Sequence, residues 1–160
     1  GLSRLLDALV EVESATAKER GGPAYAIELP QRADASTDPL TVPGLEGRLG
    51  QVFRNLLSNA ATFTPLTGTI RLTARRQKGW VRVTVEDDGP GIPETKLTAI
   101  FDRFYTERPK DEKFGVHSGL GLSISKQIVE AHGGTIEAAN RRDADGNILG
   151  ARFIVWLPAD

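Results

Sequence analysis

Apolar residues first recur at helical spacing, with Leu2, Leu5, Leu6, Leu9 and Val10 on one side, and the pattern fades before the Gly21-Gly22-Pro23 breaker. This predicts an amphipathic helix whose stripe must cover a sheet or another helix. Tyr25, Ile27 and Leu29 then alternate as in a strand, residues 34–38 read as a loop, and residues 40–42 predict a short second strand. From Leu45 onward the helical period returns, and Leu49, Val52, Phe53, Leu56, Leu57 and Ala60 fall on the same arc as Leu45. Asn55, Asn59 and Thr62 occupy a narrow band beside that arc, continued by Gln51 and Arg48, so they border the core without entering it. A break at residues 64–68 is followed by two alternating runs, Ile70, Leu72, Ala74 and Val81, Val83, Val85, which meet at Lys78-Gly79 as an antiparallel hairpin.

The second run leads directly into D-D-G-P-G at residues 87–91. A short helix is predicted over 94–100, and a mobile loop over 106–117, where charge, Pro109 and Gly115 interrupt any period. A third helix is predicted over 119–132, stopped by Gly133-Gly134. Two closing strands, 135–139 and 151–157, are joined by a turn at 143–147.

Composition narrows the function classes. The 160 residues, 39% of them hydrophobic, suit one domain with a single core. Twenty basic and 21 acidic residues leave a net charge of -1, so no general attraction to nucleic acid or an acidic membrane is expected, and any anion site must be local. No cysteine and only two histidines exclude thiolate chemistry and disfavour a metal site built on imidazole. No run approaches the roughly 18 apolar residues of a membrane span, so the chain reads as soluble. A start at Gly1 and the absence of methionine suggest a fragment of a longer protein.

The candidate chemistry lies in three places. Asn55 and Asn59 are spaced so that both amides project from one helix face, and a carboxamide oxygen is a hard neutral ligand suited to Mg²⁺; the alternative is ordinary polar exposure. Asp87 ends a strand beside Gly89 and Gly91, where it can accept from a nucleobase amine or cap local N–H groups. Gly119 and Gly121 open the third helix, whose free N–H groups favour phosphate, although small residues also serve close helix packing. A P-loop is absent, the glycines lack a Rossmann setting, and residues 143–147 fail the calcium-loop pattern because Ile154 stands where the bidentate Glu belongs.

Taken in order, N-L-L-S-N-A at 55–60, E-D-D-G-P-G-I-P at 86–93, I-F-D-R-F-Y at 100–105 and S-G-L-G-L-S-I at 118–124 resemble the N, G1, F and G2 boxes of sensor histidine kinases. The resemblance is to the catalytic ATP-binding domain of the gyrase, Hsp90, histidine kinase and MutL superfamily. The stretch H-S-G-L-G-L-S-I-S-K-Q-I-V-E-A-H-G-G is further similar to envelope-sensing kinases of alphaproteobacteria. The implied fold is an α/β (α+β) two-layer sandwich of the Bergerat type, in which a mixed sheet of about five strands is covered on one face by three helices.

On this template Asn59 is the magnesium-binding Asn, and Asp87 the carboxylate that reads the adenine amine. Phe63 packs near the base, Gly89 and Gly91 shape its pocket, and Ile92 belongs to the cofactor-binding set. Gly119, Leu120 and Gly121 meet the phosphates, Ser118, Leu122, Arg103 and Tyr105 complete the cofactor-binding set, and residues 105–118 form an ATP lid. Asn55 takes the catalytic position where ATP-hydrolysing relatives usually carry Glu, and an amide cannot serve as general base. The resemblance therefore implies phosphoryl transfer with slow intrinsic hydrolysis. Two departures stand out: Thr62 replaces a common Lys and Thr106 a frequent Arg, with Arg103, Arg108, Lys110 and Lys113 near enough in sequence to compensate.

The expected activity is that of a histidine protein kinase catalytic domain in two-component signal transduction. It would use ATP and Mg²⁺ to phosphorylate a histidine on a separate dimerisation domain of the same protein, with a response regulator downstream. Neither His117 nor His132 has the setting of the acceptor. One ATP-binding domain over residues 1–160 is expected, with residues 1–10 continuing from an upstream linker, in the cytoplasm of a bacterial cell. It would have no nucleic-acid partner and no membrane insertion. The rival readings are an ATP-driven conformational clamp of the gyrase or Hsp90 type and a catalytically inactive ATP-binding module.

Overall fold

The computed structural model describes residues 1–30, 38–102 and 121–159. Helix α1 spans Leu2–Glu19, and its buried positions Leu2, Leu6, Val10 and Ala17 follow the helical repeat predicted for it. Strand β1 (Ala24–Glu28) leads to α2 (Glu46–Phe63), then to the hairpin β2 (Thr69–Gln77) and β3 (Trp80–Glu86). After the intervening loop come α3 (Gly121–Ala131), β4 (Thr135–Arg142) and β5 (Ile148–Pro158). The five strands form one sheet in the order β1-β2-β3-β5-β4, with β1 parallel to β2 and the remaining neighbours antiparallel.

The strand alternation decides which face is covered. Ile70, Leu72 and Ala74 of β2, Val81, Val83 and Val85 of β3, and Ala151, Phe153, Val155 and Leu157 of β5 all point into the core. They meet Val52, Phe53, Leu56 and Leu57 of α2, each fully buried, and the stripes of α1 and α3. The opposite face carries Arg71, Thr73, Arg75, Glu86 and Arg152, none of them buried, so the architecture is the expected two-layer sandwich with helices on one side. Helix α3 stops by a Schellman pattern: Gly133 N–H donates to the Glu130 carbonyl and Gly134 N–H to that of Val129. No helix among the described residues is long and apolar enough to cross a membrane.

Three expectations from the pattern need correction. Residues 40–42 form no strand, although Leu40 is wholly buried. Their backbone serves α1 instead: the Leu40 carbonyl accepts the Leu2 N–H at 2.9 Å, while the Asp38 carboxylate accepts from Leu40 N–H, Ser3 N–H and Ser3 Oγ. Residues 94–100 give two separate 3-10 turns, Glu94–Lys96 and Ala99–Phe101. So short a segment cannot repay the cost of an α-helical nucleus, and Ile100 and Phe101 anchor it by burial, with Phe101 edge-on to Phe153 at 6.2 Å. The closing strands are longer than predicted, because β4 continues through Asn140, Arg141 and Arg142 and β5 begins at Ile148. The 143–147 turn is held as a polar loop by the Asp143 carboxylate, which accepts from the N–H groups of Asp145 and Asn147.

Phe53 has no exposed surface and sits at the centre of the α2 contact with the sheet. Phe53→Ala is expected to lower the unfolding free energy by roughly 3–5 kcal/mol, read as a fall in the urea midpoint with little change in slope.

Candidate functional site

A cavity of about 450 Å³ opens between α2, α3 and the ends of β3 and β5. Its polar side chains come from Asn59, Asp87 and, at the rim, the exposed Glu94, and its apolar walls from Phe63, Ile92, Ile100, Leu122, Ile148 and Phe153. Mostly apolar walls with a few placed polar atoms are what a small-molecule site requires.

Asp87 is the group most constrained by its surroundings. Only 3% exposed, it follows the last residue of β3, and its N–H continues the ladder onto the Ala151 carbonyl at 3.0 Å. Its Oδ1 accepts the Gly89 N–H and the Ala151 N–H, both at 2.9 Å. Among the described residues the bonds to its side chain fall on Oδ1, and Asp87 lines the cavity. Burial pushes the carboxyl above its ordinary range, and the Ala151 and Gly89 N–H groups and the nearby Arg141 guanidinium only partly oppose that. Strand β5 can run this close because residue 150 is glycine: a side-chain carbon there would come within 1.9 Å of the Asp87 carbonyl oxygen.

Asp88, its neighbour in the D-D pair, faces the other way. It accepts the Thr69 N–H at 2.8 Å and guanidinium bonds from Arg71 and Arg141, each at 3.0 Å. Partial burial alone would raise its carboxyl; these N–H and guanidinium partners outweigh that and hold it below the usual carboxylate range. The loop beyond is shaped at Gly91, where φ is +84° and a side-chain carbon would meet Ile148 at 2.5 Å and the Asn140 oxygen at 2.8 Å.

The two asparagines of α2 have different surroundings. Asn59 is 8% exposed and lines the cavity. Asn55, one turn earlier, donates from Nδ2 to the Gly121 carbonyl and to Ser125 Oγ, both at 3.3 Å, and so ties α2 to the first turn of α3. Thr62 donates back to the Ser58 carbonyl. Among the described residues no group of three His, Cys, Asp or Glu side chains could hold a metal, so a cation here would depend on carboxamide oxygen and on the ligand's own oxygens.

Of the residues singled out in the sequence, Asn59, Phe63, Asp87, Gly91, Ile92 and Leu122 line one cavity. Asn55, Gly89 and Gly121 border it through the contacts above and do not line it. Arg103, Tyr105, Ser118, Gly119 and Leu120 lie outside the described residues, as do the 105–118 lid segment, Thr106, Arg108, Lys110, Lys113 and His117. Sequence reasoning missed Gly150, Asn140 and Arg141. Arg141 Nη1 donates to the Asp87 carbonyl at 2.6 Å, and Asn140 bonds both backbone groups of Ile92. Their only sequence signal is a run of polar residues after the apolar alternation of β4 has ended.

The two carboxylates should respond oppositely to pH. Because the folded-state pKa of Asp87 is raised, its ionised form costs stability, and that cost is relieved as pH falls through the folded value. Asp87→Asn is thus expected to match or exceed wild-type thermal stability near neutrality, with the difference shrinking on acidification. Asp88 is the reverse: its contribution is present above the unfolded carboxylate pKa and is lost as pH falls through its lowered folded value. Asp88→Asn should melt below wild type at about pH 7, and the gap should begin to narrow only once pH falls below the unfolded carboxylate value of about 3.9.

The geometry agrees with what the chain resembles. Residues 44–160 match the family model described as "Histidine kinase-, DNA gyrase B-, and HSP90-like ATPase". The sensor protein ChvG of Rhizobium meliloti strain 1021, an alphaproteobacterium, is 45% identical over 159 residues, covering 99% of this chain and 27% of that protein. The chain thus spans about a quarter of the length of the curated relatives it matches most fully. Full-length ShkA in complex with AMPPNP superposes with a TM-score of 0.72 at 31% identity, covering 99% of this chain and 30% of that one. Histidine kinase ThkA in complex with the response regulator protein TrrA gives a TM-score of 0.75 at 30% identity, covering 100% and 41%. With this match over most of its length, the chain belongs to the histidine kinase-, DNA gyrase B- and HSP90-like ATPase family.

Proposed function

We propose that this domain binds ATP with Mg²⁺ in the cavity between α2 and α3. Within a longer sensor kinase it supplies the γ-phosphoryl group to a histidine on a dimerising helical domain, from which a response regulator takes it. The observation that carries this reading is Asp87, a carboxylate nearly sealed from solvent whose Oδ1 is held by two backbone N–H groups and whose Oδ2 is left for a donor. An adenine amine is such a donor, and Phe63, Ile92, Ile100, Leu122 and Phe153 supply apolar walls suited to a flat ring.

Asn59 is the residue proposed to hold Mg²⁺, whose remaining oxygens would come from phosphates and water. When bound, the cation supplies charge neutralisation for the transferring phosphoryl group. The start of α3 at Gly121 and Leu122 is proposed to receive phosphate through its N–H groups, together with Ser118, Gly119 and Leu120, while Arg103 and Tyr105 complete the site. Gly89, Gly91 and Ile92 belong to the adenine side.

Asn55 supports transfer over hydrolysis. Its amide has no basic site, and its Nδ2 is spent on Gly121 and Ser125, so it positions α3 and activates no water. His132 does not suit the acceptor role, because one ring nitrogen bonds the Ile128 carbonyl and the other accepts the Leu45 N–H. On this reading the acceptor belongs to a separate domain of the same protein. The response regulator in the ThkA complex supports the onward partner. On this reading residues 1–160 are one ATP-binding domain, 1–10 continue from the upstream linker, 105–118 form the lid, and the domain works in the cytoplasm.

Calorimetric titration with a non-hydrolysable ATP analogue, with and without Mg²⁺, tests the proposal. Wild type should bind; Asp87→Asn should weaken binding by about 10- to 100-fold, through loss of a charge-assisted acceptor. Asn59→Ala should remove most of the Mg²⁺-dependent part of the affinity. No wild-type binding at millimolar nucleotide would overturn the reading. In a second assay, steady-state ATP hydrolysis by the isolated domain should be slow; a fast activity abolished by Asn55→Ala would favour the clamp mechanism.

A further inference from the structure

Three consecutive residues at the end of β4 grip the loop between β3 and the first 3-10 turn at three points. Asn140 makes a two-point contact with the backbone of Ile92, its Oδ1 accepting the Ile92 N–H at 2.7 Å and its Nδ2 donating to the Ile92 carbonyl at 2.7 Å. Arg141 donates to the Asp87 carbonyl and to the Asp88 carboxylate. Arg142 pairs with Glu94. Adjacent strand residues point to opposite faces, so the helix-side contact of Asn140 and the outer-face contacts of Arg141 enclose the loop from both sides. A register shift between Arg141 and Arg142 then re-aims the third side chain.

We propose that Asn140 is a positioning residue for nucleobase recognition. It reproduces with one side chain the pair of bonds that a neighbouring strand would give Ile92, and so fixes the Ile92 wall at a set distance from Asp87. Gly91 is the counterpart of this contact, since a side-chain carbon there would press on the Asn140 oxygen at 2.8 Å. Arg141 secures the carboxylate end of the loop and Asn140 the wall end, so the width of the base slot is set by two adjacent residues of an edge strand. The Arg142 pair, 40% and 66% exposed, adds little. This inference rests on the ATP-site reading above.

Asn140→Ala is the test, with Arg142→Ala as the comparison. Binding of non-hydrolysable ATP and GTP analogues is measured by calorimetry alongside thermal melting. The expected result is an ATP-analogue affinity about five- to thirtyfold weaker in Asn140→Ala, a smaller loss for the GTP analogue, and a melting point within a few degrees of wild type. Arg142→Ala should leave both affinities within about twofold. Wild-type affinity and base preference in Asn140→Ala would overturn the proposal. So would an equal loss for both nucleotides accompanied by a lowered melting point, which marks a purely structural role. Amide exchange in the nucleotide-free wild type gives a measurement that does not depend on the variant's folding: Ile92 N–H should be protected, and rapid exchange there would overturn the clamp. If wild type binds no nucleotide, the ATP reading itself fails, and the clamp is then decided by Ile92 exchange alone.

Discussion

The site is organised around one buried carboxylate that cannot leave. Asp87 continues the β3–β5 ladder through its backbone and simultaneously receives the Ala151 N–H on its side chain. Strand pairing and the orientation of Oδ1 are therefore one constraint. A carboxylate this far from water is unfavourable to ionise, and the structure offsets that cost with backbone N–H groups and a guanidinium. Gly150 belongs to the same constraint, because its lack of a side chain lets β5 approach closely enough to donate.

Around that point the two members of the D-D pair divide the labour. Asp87 faces the cavity, whereas Asp88 joins Thr69, Arg71 and Arg141 into a network that locks β2 and β4 to the end of β3. The network extends through Glu86, which receives both Arg152 and Arg141. Charges on the open face of the sheet thus brace the loop whose other face carries ligand chemistry. Arg141 joins the two parts, since it bonds both the Asp87 carbonyl and the Asp88 carboxylate.

Much of this was legible because periodicity and site chemistry coincide. The apolar arc of α2 placed Asn55 and Asn59 at its border, and the alternation of β3 delivered Asp87 to a strand end; Asn55 and Asp87 stand as expected, whereas Asn59 is buried. What escaped was governed by distant backbone partners. Leu40 had the apolar neighbours of a strand but spends its carbonyl on Leu2. Asn140 contacts a residue 48 positions away in the chain, a separation that leaves no spacing signal, and Arg141 and Arg142 fell between the predicted strand and the 143–147 turn because their strand pairing is made by the backbone. The 3-10 turns at 94–101 escaped because two buried side chains, Ile100 and Phe101, override a weak local preference.

The grip of Arg141 and Asn140 on the Asp87–Ile92 loop has a consequence for how a ligand is chosen. Asp87 and Ile92 are held by bonds internal to the protein, so on the proposed reading a base would meet an acceptor and an opposite wall that need no ordering. On that reading selection at this end of the cavity would rest on shape and donor placement, and a misfit would be rejected by leaving Asp87 unmatched.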